Sequence, residues 1–293
     1  MNSNHTSSLS IVVFTAAAAL FLSHQASAVT LSSESFDYTA GDSLAAQNGG
    51  SGWGGAWEDP ASSNATIVSP GLDYTDVDAA YTNFAAAGNA ANASGAPNNR
   101  RLFDVATAGA YDNAGLVGTD GFIGGAGVTT GSLYGSVLLS NPDAFGSSRV
   151  LMEFGPTTGQ PFRIQQTSGG GDFAITDLSN NNLGTGTLDP QSNDILLVWR
   201  IDFGAGSTDD NLTLYLNPTS ETSSSISLTS TRDVAFDRIT MRGVGTTNNF
   251  TYDELRFGTT FSDVTPIPEP GVYALALSLV AGGMAFLKRR RKA

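Results

Sequence analysis

The stretch DILLVWRIDF, residues 194–203, leaves its backbone little freedom of choice. Ile195, Leu197, Trp199, Ile201 and Phe203 recur at every second position, with Arg200 and Asp202 between them. A helix would spread those five side chains around its circumference. A strand sets them all on one face, because successive Cβ atoms point to opposite sides of the pleat. The turn-rich GAGSTDD comes next, and NLTLYLNP then places Leu212, Leu214 and Leu216 together, so the two runs predict a long antiparallel hairpin. SLYGSVLLS, SRVLMEF, PFRIQQ, DFAITDL, FDRITMR and FTYDELRF repeat the pattern on a shorter scale, separated by Gly, Asn, Ser and Pro clusters that supply turns. No helical periodicity of comparable quality competes with them. The chain has 34 glycines, and the reading is an all-β fold, an antiparallel jelly-roll β-sandwich over residues 29–264. Its first third is poorer in pattern, and AAAGNAANASGAPNN, residues 85–99, reads as an exposed low-complexity loop.

Composition removes much chemistry from that sandwich. The chain has no cysteine, both histidines (His5 and His24) precede residue 29, and both lysines (Lys288 and Lys292) follow residue 287. A Ser-His-Asp triad, a Cys nucleophile, a zinc site of nitrogen and sulfur ligands and a Schiff-base lysine are thereby excluded from residues 29–264. Carboxylates, tyrosines and hydroxyls remain. The same stretch and its short linker hold 26 acids, all 27 but Glu269, against nine arginines, a balance of −17. Such a charge disfavours nucleic acid and anionic lipid and suits solubility, divalent cations or polysaccharide recognised through hydroxyls.

The two ends read as addresses. Residues 1–28 carry an apolar core from Ile11 to Leu22 and close on Ala26-Ser27-Ala28, the small-x-small pattern of a signal-peptidase site, although MNSNHTSS lacks the usual Lys or Arg. At the other end Gly271 to Leu287 is uncharged, and at about 1.5 Å per residue a helix of that run is long enough, marginally, to cross a bilayer. Lys288, Arg289, Arg290, Arg291 and Lys292 follow, a cluster that stays cytoplasmic and leaves the bulk of the chain outside. Pro268-Glu269-Pro270, one apolar helix and an Arg-rich terminus, in that order, resemble the bacterial PEP-CTERM class of exported proteins. The resemblance implies that residues 265–293 are a sorting segment read by an exosortase-type transpeptidase. It also implies a precursor anchored in the inner membrane, then delivery to the cell surface or extracellular matrix of a Gram-negative-type bacterium.

A second resemblance lies between the ends. SESFDYTAGDSLAAQNGGSGWGGAWE, VWRIDFGAGSTDDNLTLYLNP, FDRITMRG and YDELRFGTTFSDV are similar to laminin-G or concanavalin-like sandwich domains. In such folds the late strand carrying the Asp-Glu pair returns beside the first strand. The scaffold serves sugar binding, adhesion and hydrolysis alike, so the residues must choose. A glycosidase needs two carboxylates flanking the bond, which laminarinase-like relatives take from alternate positions of one strand. Here Glu34, Glu58, Glu153, Glu221 and Glu254 are scattered, and Asp253 and Glu254 are adjacent, which in a regular strand sends them to opposite faces. The expectation is a non-catalytic module for polysaccharide binding, adhesion or structure; the alternative is a carboxylate-dependent glycoside hydrolase or lyase. Trp53 and Trp57, among glycines, are candidates for stacking on sugar rings, or for plugging the edge of the sandwich, the commoner use of Trp. Asp209, Asp210 and Asn211 in the hairpin turn are candidate calcium ligands, although three consecutive side chains do not have the spacing of a calcium loop. GFIGGAG, residues 121–127, lacks the strand-to-helix setting of a phosphate cradle and reads as a loop.

Overall fold

The computed structural model describes residues 30–60, 64–74, 84–85, 88–94, 97–140, 149–155, 162–166, 172–177, 182–184, 194–205, 210–229, 233–244 and 249–265. All lie in one unit, Val29–Pro268. The residues expected to form a signal-peptidase site, Ala26 and Ala28, those expected to form a sorting signal, Pro268, Glu269, Pro270, Arg289, Arg290 and Arg291, the apolar run 271–287 and Asp209 lie outside the described residues. Among the described residues no helix is long and apolar enough to cross a membrane.

The strands, in chain order, are β1 (Thr30–Glu34), β2 (Thr66–Val68), β3 (Asp73–Tyr74), β4 (Phe84–Ala85), β5 (Ala90–Ser94), β6 (Asn98–Leu102), β7 (Ser132–Ser140), β8 (Arg149–Phe154), β9 (Phe162–Gln166), β10 (Phe173–Asp177), β11 (Asn182–Gly184), β12 (Asp194–Asp202), β13 (Asn211–Leu216), β14 (Ser225–Thr229), β15 (Arg238–Val244) and β16 (Asn249–Gly258). Two antiparallel sheets result. One runs β14-β13-β12-β7-β16-β5-β2, with β1 also paired to β16; the other runs β11-β10-β9-β8-β15-β6, and β3-β4 form a small separate ribbon. Hairpins follow the chain from β8 to β11 and from β12 to β14. β15 and β16 instead return to neighbours far back in sequence, so β16 lies beside β1 (Glu34 opposite Leu255, Ser32 opposite Phe257), as the laminin-G resemblance implies.

The β12-β13 hairpin forms with Leu197 opposite Leu216 and Asp202 opposite Asn211. Its apolar face joins one core shared by both sheets, in which Ile195, Leu197, Trp199, Ile201, Leu212 and Leu214 meet Met152, Phe154, Ile164, Phe173, Ile175 and Ile239. Phe154 contacts Trp199 and Phe257 edge-on at 5.6 and 6.4 Å, the geometry in which a ring edge meets a π face. Trp199 fits because its cross-strand partner is Gly135: a Cβ there would lie 2.3 Å from the indole. The fold is an all-β sandwich.

Two features differ from the sequence reading. The first is residues 85–99, read as an exposed loop, which supply β5 and the start of β6, with Ala90, Ala91 and Ala93 at most 1% exposed. Ala91 and Ala93 sit opposite Tyr252 and Phe250, so the rings of β16 fill the space that the methyl groups leave. Alanine carries too little hydrophobic contrast to reveal a period of two. Second, β12 is covered on both faces in its first half. Leu196 and Val198 are buried with Tyr74, Tyr134, Tyr215, Phe261 and Val264, because the four-residue helix Phe261–Val264 lies on the outer side of the larger sheet. Ser136 fastens it by donating to the Val264 carbonyl at 2.5 Å.

Candidate functional site

The glycine-rich loop after β1 folds back on that strand. Ser33 and Ser51 exchange backbone hydrogen bonds of 3.1 and 2.9 Å. At Gly52, with φ at +73°, a Cβ would lie 1.9 Å from the Leu31 carbonyl oxygen, so only glycine fits. This approach brings Trp53 and Trp57 against the Arg101 guanidinium, 4.9 and 5.6 Å from ring centroid to carbon. Arg101 is ion-paired through Nη1 to Glu34, and both side chains are 1% exposed. Glu34 also accepts from the Phe36 amide (2.9 Å), the Tyr38 hydroxyl (2.8 Å) and Trp57 Nε1 (3.0 Å). Arg101 donates further to the carbonyls of Gly55 and Gly49, both at 2.8 Å, and to Asn48 Oδ1 at 3.2 Å. Burial pulls the Arg101 guanidinium below its ordinary range while the Glu34 charge pushes it back. Burial first, and then Glu34, drives the Tyr38 hydroxyl well above its own.

This cluster is a clamp that pins the loop to the sandwich, and of the two uses the sequence offered for Trp53 and Trp57 it is packing at the sandwich edge that the geometry displays. Trp57 is 1% exposed. Trp53 is half-buried, stacked on Phe103 at 5.4 Å, edge-on to Phe257 at 6.0 Å, and donates Nε1 to the Ser33 carbonyl at 3.0 Å.

Several carboxylates are likewise engaged within the fold. Asp210, in the turn read as a calcium site, is 2% exposed; its two oxygens accept the Gly204 and Val234 amides at 2.9 and 2.6 Å. It ties the hairpin to the approach to β15, and Asn211 opens β13. Among the described residues no group of three or more acidic side chains converges as a metal site would require. At Asp253-Glu254 the regular-strand reading fails: the β16 register shifts there and Glu254 has φ +48°, the mark of a bulge. Asp253 is fully buried and accepts the Leu72 and Glu254 amides, both at 2.8 Å; burial raises its carboxyl to about 7 against those bonds. Glu254 pairs with Arg256 at 2.6 Å, and Glu221 accepts from Tyr134 at 2.5 Å.

A polar surface remains on the outer face of the six-stranded sheet. The register aligns Arg100 with Thr240, Glu153, Arg163 and Thr176 across β6, β15, β8, β9 and β10, and in the next row Asn98 with Arg242, Leu151, Gln165 and Ala174. In these rows three arginines face one glutamate. Glu153 Oε1 accepts from Arg163 (2.8 Å) and Arg242 (2.9 Å), and Glu58 at the rim holds Arg100 through Nε at 2.6 Å. Arg238 continues the face and pairs with Asp237 at 2.7 Å. Arg100 and Arg242 remain 35% and 34% exposed, whereas Gln165 and Thr176 are buried at the far end, so the accessible part is the β6-β15-β8 side. Sequence reasoning did not single out these residues. Arg238, Thr240 and Arg242 alternate within FDRITMR and so share a face; that β6 would bring Arg100 beside them was not readable.

No protein-family model matches the chain. No curated protein matches it either. Among solved structures, Domain 4 of AbnA, a GH43 extracellular arabinanase from Geobacillus stearothermophilus in complex with arabinotriose, aligns with TM-score 0.42 and 15% identity over 81% of this chain and 97% of that one. The T. cruzi calreticulin globular domain aligns with TM-score 0.40 and 9% identity over 80% and 90%. The chain spans only 21% of a bifunctional GH43-CE chain from Bacteroides eggerthii, covering 67% of itself, with TM-score 0.33 and 10% identity. It spans 41% of an engineered GH43 glycoside hydrolase at TM-score 0.34. Likeness at this level carries no inference about activity.

Proposed function

We propose that this chain is an exported surface or extracellular-matrix protein whose β-sandwich binds polysaccharide without cleaving it. The observation that carries the reading is how the polar groups are used. Each of the five glutamates in residues 29–264 is engaged within the fold: Glu34 by Arg101, Glu58 by Arg100, Glu153 by Arg163 and Arg242, Glu221 by Tyr134 and Glu254 by Arg256. The buried aspartates Asp210, Asp253 and Asp263 hold backbone amides. Glycoside hydrolysis asks for two carboxyl groups roughly 5–10 Å apart across an open bond, one of them free to exchange a proton. The β6-β15 side of the six-stranded sheet offers instead the guanidinium, amide and hydroxyl groups of Arg100, Arg242, Asn98 and Thr240, which suit a hydroxylated chain laid across strands.

The export half of the reading rests on Ala26-Ser27-Ala28 and on Pro268-Glu269-Pro270 with its apolar run and Arg289, Arg290 and Arg291. Signal peptidase and an exosortase-type transpeptidase are the processing partners. Intact-mass analysis of protein from the native envelope should give a chain that begins at Val29 and lacks the basic tail; a start at Met1 or a retained tail refutes that half. For the sandwich, full-length protein is applied to a glycan array and incubated with the same polysaccharides in a reducing-end assay. Binding without new reducing ends is the expected result. Turnover would make the chain a carbohydrate-active enzyme, and an array without any signal would refute binding.

A further inference from the structure

We propose that the ligand of the six-stranded face is an acidic polysaccharide, gripped through carboxylate or sulfate groups by Arg100 and Arg242. The inference rests on the polysaccharide-binding reading and specifies its ligand class. Arg100 spends Nε on Glu58 and so presents its two terminal nitrogens; Arg242 spends Nη1 on Glu153 and so presents the Nε and Nη2 edge. Both are pairs of parallel N–H groups with the spacing of a carboxylate or sulfate, which a guanidinium holds bidentately.

The two forks stand close together. Thr240 is opposite Arg100 and Arg242 opposite Asn98, so the arginines are diagonal neighbours on paired strands, roughly 7–8 Å apart at their bases. Each is held by a glutamate, which limits the entropy lost when a ligand docks. Glu153 acts as a positioning residue, since one of its oxygens accepts from both Arg163 and Arg242.

Charge points the same way. Residues 29–264 carry a large excess of acid, yet in these two rows three arginines face one glutamate, with Glu58 at the rim and Asp237 already paired to Arg238. At physiological ionic strength fields fade over about 8 Å, so an anionic chain on this face meets these arginines rather than acids elsewhere on the domain. A neutral glycan would accept single, uncharged hydrogen bonds from these guanidiniums, whereas a carboxylate or sulfate engages both N–H groups of a fork together with its charge.

The test measures binding of the full-length protein to polygalacturonate, dextran sulfate, unsubstituted dextran and duplex DNA, for wild type, Arg100→Gln with Arg242→Gln, and Arg100→Lys with Arg242→Lys. Expected is binding of polygalacturonate, dextran sulfate or both, weakened at least about tenfold by the glutamine pair and less by the lysine pair, which keeps the charge but loses the fork. Which anion binds separates carboxylate from sulfate recognition. Melting temperatures equal to wild type show that the variants are folded; if the glutamine pair is not, the lysine pair carries the test. Dextran bound as well as the polyanions, polyanion binding indifferent to the substitutions, or DNA bound as tightly overturns this inference and leaves the array result standing. Absence of binding to every glycan, on the array as well, overturns the parent reading.

Discussion

Truncating Glu34 to alanine would leave the Arg101 guanidinium charged, 1% exposed and without its counter-ion, and would strip the Phe36 amide, the Tyr38 hydroxyl and Trp57 Nε1 of their acceptor. Removing one partner of a buried pair costs about 3–5 kcal/mol, because the remaining charge keeps its desolvation cost and loses its compensation. For a domain of this size each kcal/mol moves the melting temperature by about 2–4 °C, so the transition should fall by roughly 6–20 °C. Circular dichroism follows the sandwich. Tryptophan fluorescence follows the clamp, because two of the three tryptophans, Trp53 and Trp57, lie against Arg101. The double variant Glu34→Met with Arg101→Met removes both charges together and should recover part of the loss, whereas additive singles would have made it worse. A loss below about 3 °C for Glu34→Ala, or a double variant less stable than the single, refutes the clamp.

Gly135→Ala should destabilise by roughly 1–3 kcal/mol by driving a methyl into Trp199, while Gly55→Ala, whose Cβ meets nothing within 4 Å, serves as the control; equal denaturant midpoints would refute the packing account. Asp253 has a folded pKa raised from 3.8 to about 7, so the folded state holds its proton more tightly than the unfolded chain. Its contribution is therefore complete below pH 4 and declines as pH rises to about 7, by up to roughly 1.4 kcal/mol per pH unit. Asp253→Asn should flatten that part of the stability-pH curve, and a variant slope equal to that of wild type would refute the assignment. Asp210→Ala should lower the melting temperature by the same amount in millimolar calcium and in chelator, because its oxygens already hold the Gly204 and Val234 amides. A calcium-dependent rise in wild type that the variant abolishes would instead establish a cation site at the hairpin turn.

The strands were legible wherever large apolar residues recurred at every second position. SLYGSVLLS, SRVLMEF, DILLVWRIDF and NLTLYLNP became β7, β8, β12 and β13 nearly to the residue. Alternation is a local property of the pleat and needs no knowledge of the partner strand. β5 was illegible because its buried side chains are alanines, whose burial depends on Phe250 and Tyr252 arriving opposite them from far along the chain. The candidate site divides in the same way. Composition alone removed histidine, cysteine and lysine chemistry from residues 29–264 and left arginine as the one cation there, because what a chain lacks needs no fold to be known. Tertiary structure decided what the remaining groups do: it buried Trp57 beside Glu34 and Arg101, 67 residues apart in sequence, and placed Arg100 next to Arg242 on an open face. Strand pairing across such separations is set by the packing of the whole core, so no single stretch of sequence encodes it.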